Sequence, residues 1–159
     1  MINERLTMDD SLTTNWFLNV EDEIQDVVEE PDQTFSSNPL HSQNLIIRLT
    51  FEFALEIVRL STTLEASRQY VLARQVLKSG TSIGANVREA QHAESKADFI
   101  HKMKIAAKEA EETDYWLLIF HYSDNYPTTQ TLQIKLRTIS KILNRIINTS
   151  KNNNDISFK

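Results

Sequence analysis

Two glycines, Gly80 and Gly84, lie one helical turn apart in a segment otherwise typical of a helix, and they are the only glycines in 159 residues. A glycine inside a helix costs about 0.5–1 kcal/mol relative to alanine. The pair therefore indicates a face that must stay small, so that another helix can approach closely. Because serine, glycine and threonine also form turns, residues 79–81 could instead be a loop. The periodicity on both sides favours a continuous helix.

The scarcity of turn residues, with two glycines and three prolines, indicates few tight turns and long helices. Cysteine is absent, which excludes disulfides, thiolate catalysis and cysteine-based zinc sites. No apolar run approaches the ~18–20 residues of a membrane span, and no signal peptide is evident. The sequence therefore predicts a cytoplasmic protein without a membrane contact.

The net charge of −5 conceals two oppositely charged regions. Residues 1–40 carry ten acidic residues and one arginine, whereas residues 41–159 carry twelve acidic and sixteen basic residues. We interpret residues 1–43 as an acidic extension and linker with one short amphipathic helix at 15–30. Its apolar stripe consists of Trp16, Val20, Ile24 and Val27.

Apolar residues at helical spacing predict four helices within residues 44–150, followed by a polar tail at 151–159. The first two helices are expected at 44–66 and 67–93. Ser95 is a candidate cap for the third, with Asp98 in the position that completes a capping box. The fourth should start near residue 128 and fray from Asn148. Short connections favour an all-α, antiparallel up-and-down four-helix bundle.

The first helix carries two apolar faces, which predict burial on both sides. One face has Leu49, Phe53, Ile57, Leu60 and Leu64, and the other has Ile46, Phe51, Leu55 and Val58. The third and fourth helices each carry a seam of alternating three- and four-residue steps. These seams are Phe99, Met103, Ala106, Ala110, Thr113, Leu117 and Phe120, and then Leu132, Leu136, Ile139, Leu143 and Ile146.

Catalytic and metal-binding patterns are weak. Glu89 and His92 have the E-x-x-H spacing of di-iron bundles, but such sites need two pairs and further carboxylates, so a surface pair is favoured. Arg88 and His92 are too close for the Arg/His spacing of some helical ribonucleases. The glycines lack the G-K-[ST] ending of a phosphate loop. We expect no enzyme activity and no cofactor.

Basic residues on the second and third helices form a candidate nucleic-acid surface if they share an outer face, and binding would then depend strongly on salt. The alternative is a solvated helix surface with ordinary i, i+4 pairs. The residues are Arg68, Arg74, Lys78, Arg88, Lys96, Lys102, Lys104 and Lys108.

Tyr115 and Trp116 precede a run of four apolar residues, so that this end of the third helix is apolar on nearly every side. Core packing accounts for about half of these residues. A subunit interface best explains the rest, because a helix buried all round in a small bundle implies a partner surface.

Five short motifs stand out by their order and spacing: Phe51–Ala54, Ser79–Ala90, Ser95–Met103, Ala107–Ala110 and Glu112–Trp116. Together they closely resemble the bacterial four-helix-bundle family first noticed in intervening sequences of large-subunit ribosomal RNA genes. The similarity covers about residues 44–150.

The resemblance implies a four-helix protomer that assembles into a homopentameric ring, with no established enzyme activity. A related branch, the accessory variability protein of diversity-generating retroelements, forms a basic pentameric barrel that binds a reverse transcriptase and its RNA. Helix-packing or oligomer roles are expected for Gly80, Ser82, Gly84, Asn86, Tyr115, Trp116 and Phe120. Asn86 is hypothesised to bond a neighbouring helix and fix its register.

Two functions remain open at this point. The first is a non-catalytic homo-oligomeric scaffold that acts with a nucleic-acid-processing partner, such as a reverse transcriptase, and contacts RNA or DNA. The second is a protein-interaction or regulatory module without nucleic-acid contact, whose acidic segment masks a basic surface or binds a partner. The acidic extension lies outside the resemblance and is opposite in sign to the basic branch of the family.

Overall fold

The computed structural model describes residues 39–152, which are helical and contain no strand. A short 3₁₀ turn at Pro39–His41 precedes four α-helices. They are α1 (Leu45–Ala66), α2 (Tyr70–Ala90), α3 (Lys96–Tyr122) and α4 (Gln130–Asn152). The helix predicted at 15–30 and the tail at 153–159 lie outside the described residues.

The connection between α1 and α2 occupies residues 67–69, where the sequence predicted the start of the second helix. Arg68 has a φ of 62°, and its N–H donates to the Glu65 carbonyl at 2.9 Å. The Gln69 N–H donates to the Leu64 carbonyl at 2.9 Å, which completes a Schellman motif. The predicted start at residue 67 is therefore wrong by three residues, because the left-handed position that ends α1 holds an arginine where glycine is usual.

The second connection follows the predicted cap. The Ser95 hydroxyl accepts from the Asp98 N–H at 3.1 Å, and the Asp98 carboxylate accepts from the Glu94 N–H at 3.3 Å. Helix α2 ends at Ala90, earlier than predicted, because the next N–H groups bond carbonyls three residues back and tighten the chain into a turn.

Helix α4 is longer than predicted at its end. It remains helical through Asn152, so fraying from Asn148 is wrong for the residues that the structure describes. Ile147 is buried and anchors the last turns. At the other end, the buried Thr129 hydroxyl donates to the Leu117 carbonyl of α3 at 2.8 Å and joins the two helices.

The four helices surround a single apolar core. The predicted inner face of α1 is wholly buried, and the α3 seam is buried except for the half-buried Phe99. In α4 the predicted seam is buried except for Ile146, which is half-buried. Ile142 and Ile147, which lie outside that seam, are buried. Helix α4 closes the bundle onto α1 through an ion pair between Lys135 and Glu56.

Helix α2 runs continuously through residues 79–81, as predicted, and its glycines face α1 of the same chain. A Cβ atom at Gly80 would lie 2.8 Å from both Cγ atoms of Ile57. At Gly84 it would lie 3.4 Å from the Thr50 carbonyl oxygen. Rising numbers on α1 thus pair with falling numbers on α2, so the two helices are antiparallel and in close contact.

Candidate functional site

The eight predicted phosphate-binding cations are spread over α2, α3 and the connection before α2. Lys104 and Lys108 lie one turn apart on the exposed side of α3, and Lys96 is exposed at the start of that helix. Arg74 and Lys78 are likewise exposed one turn apart on α2. Arg88 is half-buried near the end of α2, and Arg68 occupies the Schellman turn.

Lys102 differs from the exposed Lys104 because it forms an ion pair. Its ammonium donates to the Glu89 carboxylate of α2 at 2.6 Å. That hydrogen bond and the attraction between the two charges raise the pKa of Lys102. Glu89, the acid of the E-x-x-H pair, is thus engaged with a cation, and Lys102 is less available to a phosphate than its neighbours are.

A second electrostatic interaction between α2 and α3 involves Glu109. Partial burial raises the pKa of the Glu109 carboxyl, the nearby Glu112 carboxylate raises it further, and the Lys78 ammonium opposes the rise. The Glu89–Lys102 ion pair and the electrostatic interaction of Lys78 with Glu109 pair rising numbers on α2 with falling numbers on α3, so the two helices are antiparallel. These interactions also place acidic groups among the predicted phosphate-binding cations.

The small-residue motif of α2 serves packing inside the protomer. Gly80 and Gly84 are buried against α1. The Asn86 side chain donates to the Ser82 carbonyl at 2.8 Å, one turn back in the same helix. This bond lies within α2, so the bond hypothesised from Asn86 to a neighbouring helix stays a prediction. Both Ser82 and Asn86 remain half-buried.

The second apolar face of α1 is exposed rather than buried in the protomer. Leu55 is 36% exposed and Val58 is 45% exposed, while Phe51 is half-buried. Only Ile46 of that predicted face is buried. The expectation that α1 is covered on two sides is thus wrong within one chain, because α2 and α4 both pack against its inner face.

The glycine contact extends this exposed stripe onto α2. Since Gly80 faces Ile57 and Gly84 faces Thr50, residues 81 and 77 lie level with the end of the stripe at Leu55 and Val58. We use the name α1–α2 face for the resulting surface. It comprises Ile47, Phe51, Leu55 and Val58 of α1 with Leu77 and Thr81 of α2.

A second apolar surface lies where α2 begins and α3 ends. Val71 is 69% exposed, Tyr115 59% and Tyr122 82%. Trp116 is half-buried, with its ring edge-on to Tyr115 at a centroid distance of 5.3 Å. We call these four residues the aromatic end. Phe120, also predicted as an oligomer residue, is buried inside the protomer and stacks on Tyr126.

Two cations that border the α1–α2 face on α1 are not among the predicted binding residues: Arg59 is exposed and Arg48 is half-buried. Val71 and Tyr122 are exposed apolar residues that were not predicted either. The sequence shows that these charged and apolar residues occur at helical spacing. It does not show that they are exposed, because exposure depends on where the other helices pack.

In residues 39–152 no three His, Cys, Asp or Glu side chains are grouped as a metal site would need. None of the helices in that range is both long enough and apolar enough to cross a membrane.

Comparison with known proteins gives the family. Residues 42–145 match the model of the 23S rRNA-intervening sequence protein family. A solved structure of a protein of unknown function, from the S23 ribosomal protein family of Bacteroides thetaiotaomicron, is 40% identical with a TM-score of 0.62. The similarity covers 65% of this chain and 98% of that one. The comparison with curated proteins gave no match. Since the family model covers most of the chain, from before α1 into α4, the protein belongs to the 23S rRNA-intervening sequence protein family.

Proposed function

We propose that the protein is a non-catalytic homo-oligomeric scaffold, a pentamer, that associates with a nucleic-acid-processing partner such as a reverse transcriptase. The observation that carries the proposal is the aromatic end, where three large apolar side chains are more than half exposed. Exposed apolar clusters of this kind are typical of protein interaction sites. The resemblance to pentameric relatives supports a second copy of the chain as the first occupant.

Self-association is tested by measuring particle mass in solution by light scattering at micromolar concentration. Five chains of 18.4 kDa give a particle of about 92 kDa. The variant Tyr115→Glu should shift the mass toward the protomer, because a carboxylate in an apolar interface loses its hydration. A native protein that is monomeric at this concentration contradicts the proposal.

Ala97 offers a matched control for that variant. It is exposed on α3 and lies eighteen residues before Tyr115, which is five full turns, so the two are on the same side at opposite ends of the helix. Ala97→Glu should leave the mass unchanged. If both variants dissociate the particle equally, the aromatic end is not the contact.

Nucleic-acid contact rests on the exposed cations of α2 and α3. Binding of a single-stranded RNA oligonucleotide, followed by fluorescence anisotropy over a range of salt, should weaken as salt rises. The double variant Lys104→Gln with Lys108→Gln should reduce the logarithmic salt slope by about 0.7 per lost phosphate contact. Lys102→Gln is the matched control, since its ammonium already contacts Glu89.

The charge contrast between the two regions favours a second candidate. Residues 1–40 carry a net charge of −9, and the remainder carries +4. In this candidate the protein is a regulatory module whose acidic segment covers a basic surface and prevents nucleic-acid contact. RNA affinity that rises when leader carboxylates are neutralised favours it, and an unchanged affinity counts against it.

A further inference from the structure

The α1–α2 face has a regular apolar stripe that no element of the described chain covers. Its α1 residues Ile47, Phe51, Leu55 and Val58 are spaced by 4, 4 and 3 residues, and the last two are the most exposed of them. This spacing keeps them on one side of the helix over about 16 Å. Because the glycines bring α2 close to α1, the half-buried Leu77 and Thr81 of α2 lie beside the stripe and extend the surface on which another helix could lie.

Arginines border the α1–α2 face on both of its edges. Arg48 and Arg59 lie on α1. Arg74 and Arg88 lie on α2, fourteen residues or nearly four turns apart, and therefore on one side of that helix. The α1–α2 pairing places Arg88 level with the start of the stripe and Arg74 level with its end.

The acidic residues near this surface are fewer than its four arginines. Glu52 is half-buried on the edge away from α2, and Glu65 is exposed beyond the end of the stripe. A second copy of the same face would oppose arginine to arginine. An acidic amphipathic helix is therefore the complementary occupant.

The leader contains such a segment. Trp16, Val20, Ile24 and Val27 are spaced by 4, 4 and 3 residues, the same spacing as the α1 stripe. Residues 16–30 include six acidic residues and no basic one. In a helix, Glu21 would lie on one side of the apolar stripe, and Glu23 and Glu30 on the other.

The connection to the bundle is long enough for this contact. Residues 31–38 separate the segment from the turn that precedes α1, and eight extended residues span about 28 Å. An antiparallel arrangement places Val27 near the start of α1 and Trp16 near Val58. The short tether also holds the segment at a high effective concentration.

We propose that residues 16–30 dock as a helix, antiparallel to α1, on the α1–α2 face of their own chain. This deepens the second candidate function, on which it rests, by naming the surface and the segment that covers it. Docking covers Arg74 and Arg88, two of the cations predicted to contact nucleic acid.

Disulfide trapping tests the position, because the native chain has no cysteine and an introduced pair is unambiguous. Val20→Cys with Leu55→Cys should form an intramolecular disulfide about tenfold faster than a control pair of Val20→Cys with Ala97→Cys. Ala97 is exposed on α3, outside the α1–α2 face. Peptide mapping identifies the bonded pair. Equal rates for the two pairs overturn the proposal, and a disulfide between chains assigns the surface to another copy.

The ionic part of the contact has its own control. Arg59→Glu with Arg74→Glu should slow trapping several-fold at low salt, because both arginines then repel the leader. Arg137→Glu with Lys141→Glu changes the charge equally on exposed sites of α4 and should not slow it. An equal effect of both double variants overturns docking at the arginine-bordered surface.

RNA affinity is a separate measurement that distinguishes docking of the leader from masking of the cations. In the full chain, Glu21→Gln, Glu23→Gln and Glu30→Gln together should raise RNA affinity about tenfold or more at low salt if the leader masks cations. A rise without preferential trapping at Leu55 rejects this docking surface and retains the regulatory function. Preferential trapping without a rise retains the surface and rejects the masking function.

Discussion

Helix α2 contacts its two neighbours in opposite ways. Against α1 it presents Gly80 and Gly84, and little space remains for a side chain. Against α3 it uses long charged side chains: Glu89 forms an ion pair with Lys102, and Lys78 interacts electrostatically with Glu109. The first contact depends on shape and tolerates little change, whereas the second can adjust because its side chains are flexible. Stability should therefore respond very differently to changes on the two sides.

The largest expected effect is that of Gly80→Leu. Even the Cβ atom of the leucine would clash with Ile57, and the rest of the side chain would have no space. We therefore expect the free energy of unfolding to fall by about 3 kcal/mol or more. Urea unfolding measures this change. Ala85→Leu, at an exposed position of the same helix, should have little effect. A stable Gly80→Leu variant would show that the α1–α2 contact can separate.

Alanine at the two glycines should separate their roles. Gly80→Ala should lower the free energy of unfolding by about 1–2 kcal/mol, because the clash with Ile57 exceeds the gain in helix propensity. Gly84→Ala meets only an ordinary contact with the Thr50 carbonyl and should raise stability by up to about 1 kcal/mol. A double-mutant cycle of Gly80→Ala with Ile57→Ala checks the cause, since removing both Cγ atoms should relieve the clash.

The start of α3 should show an intermediate effect. Ser95→Ala removes the acceptor for the Asp98 N–H and should cost about 1 kcal/mol in thermal or urea unfolding. Ser95→Asp keeps an acceptor at the same place and should recover most of the loss. If the two substitutions cost the same, the cap does not contribute to stability.

The smallest effect concerns the adjustable α2–α3 side. Because the folded pKa of Glu109 is raised above 4.5, the folded chain binds more protons than the unfolded one over this range, and stability falls as pH rises through it. Glu109→Gln should therefore melt slightly higher than the native protein at pH 7, and the difference should vanish below about pH 4. The exposed Glu111→Gln should show no such pH-dependent gain. An equal gain at both pH values would contradict the assigned cause.

Within residues 39–152, sequence pattern predicted the four α-helices, their approximate bounds and most of the core, because burial of an apolar stripe requires helical spacing whichever neighbour covers it. It failed at the α1–α2 connection, where Arg68 adopts a left-handed conformation without the usual glycine. It also failed at Leu55 and Val58, whose hydrophobicity indicated burial that the protomer does not provide. Of the candidate cations, the sequence identified the residue types but not that Lys102 is already paired.

By itself the sequence determined an all-helical bundle with a small face on α2, and an acidic region joined to a basic one. These properties follow from composition and from the 3.6-residue period, both of which are local. Only the tertiary structure decided that the small face meets α1 of the same chain, and that the second apolar face of α1 remains outside. The reason is geometric: spacing shows which residues share a side of a helix, but the contact made by that side depends on how the other helices pack.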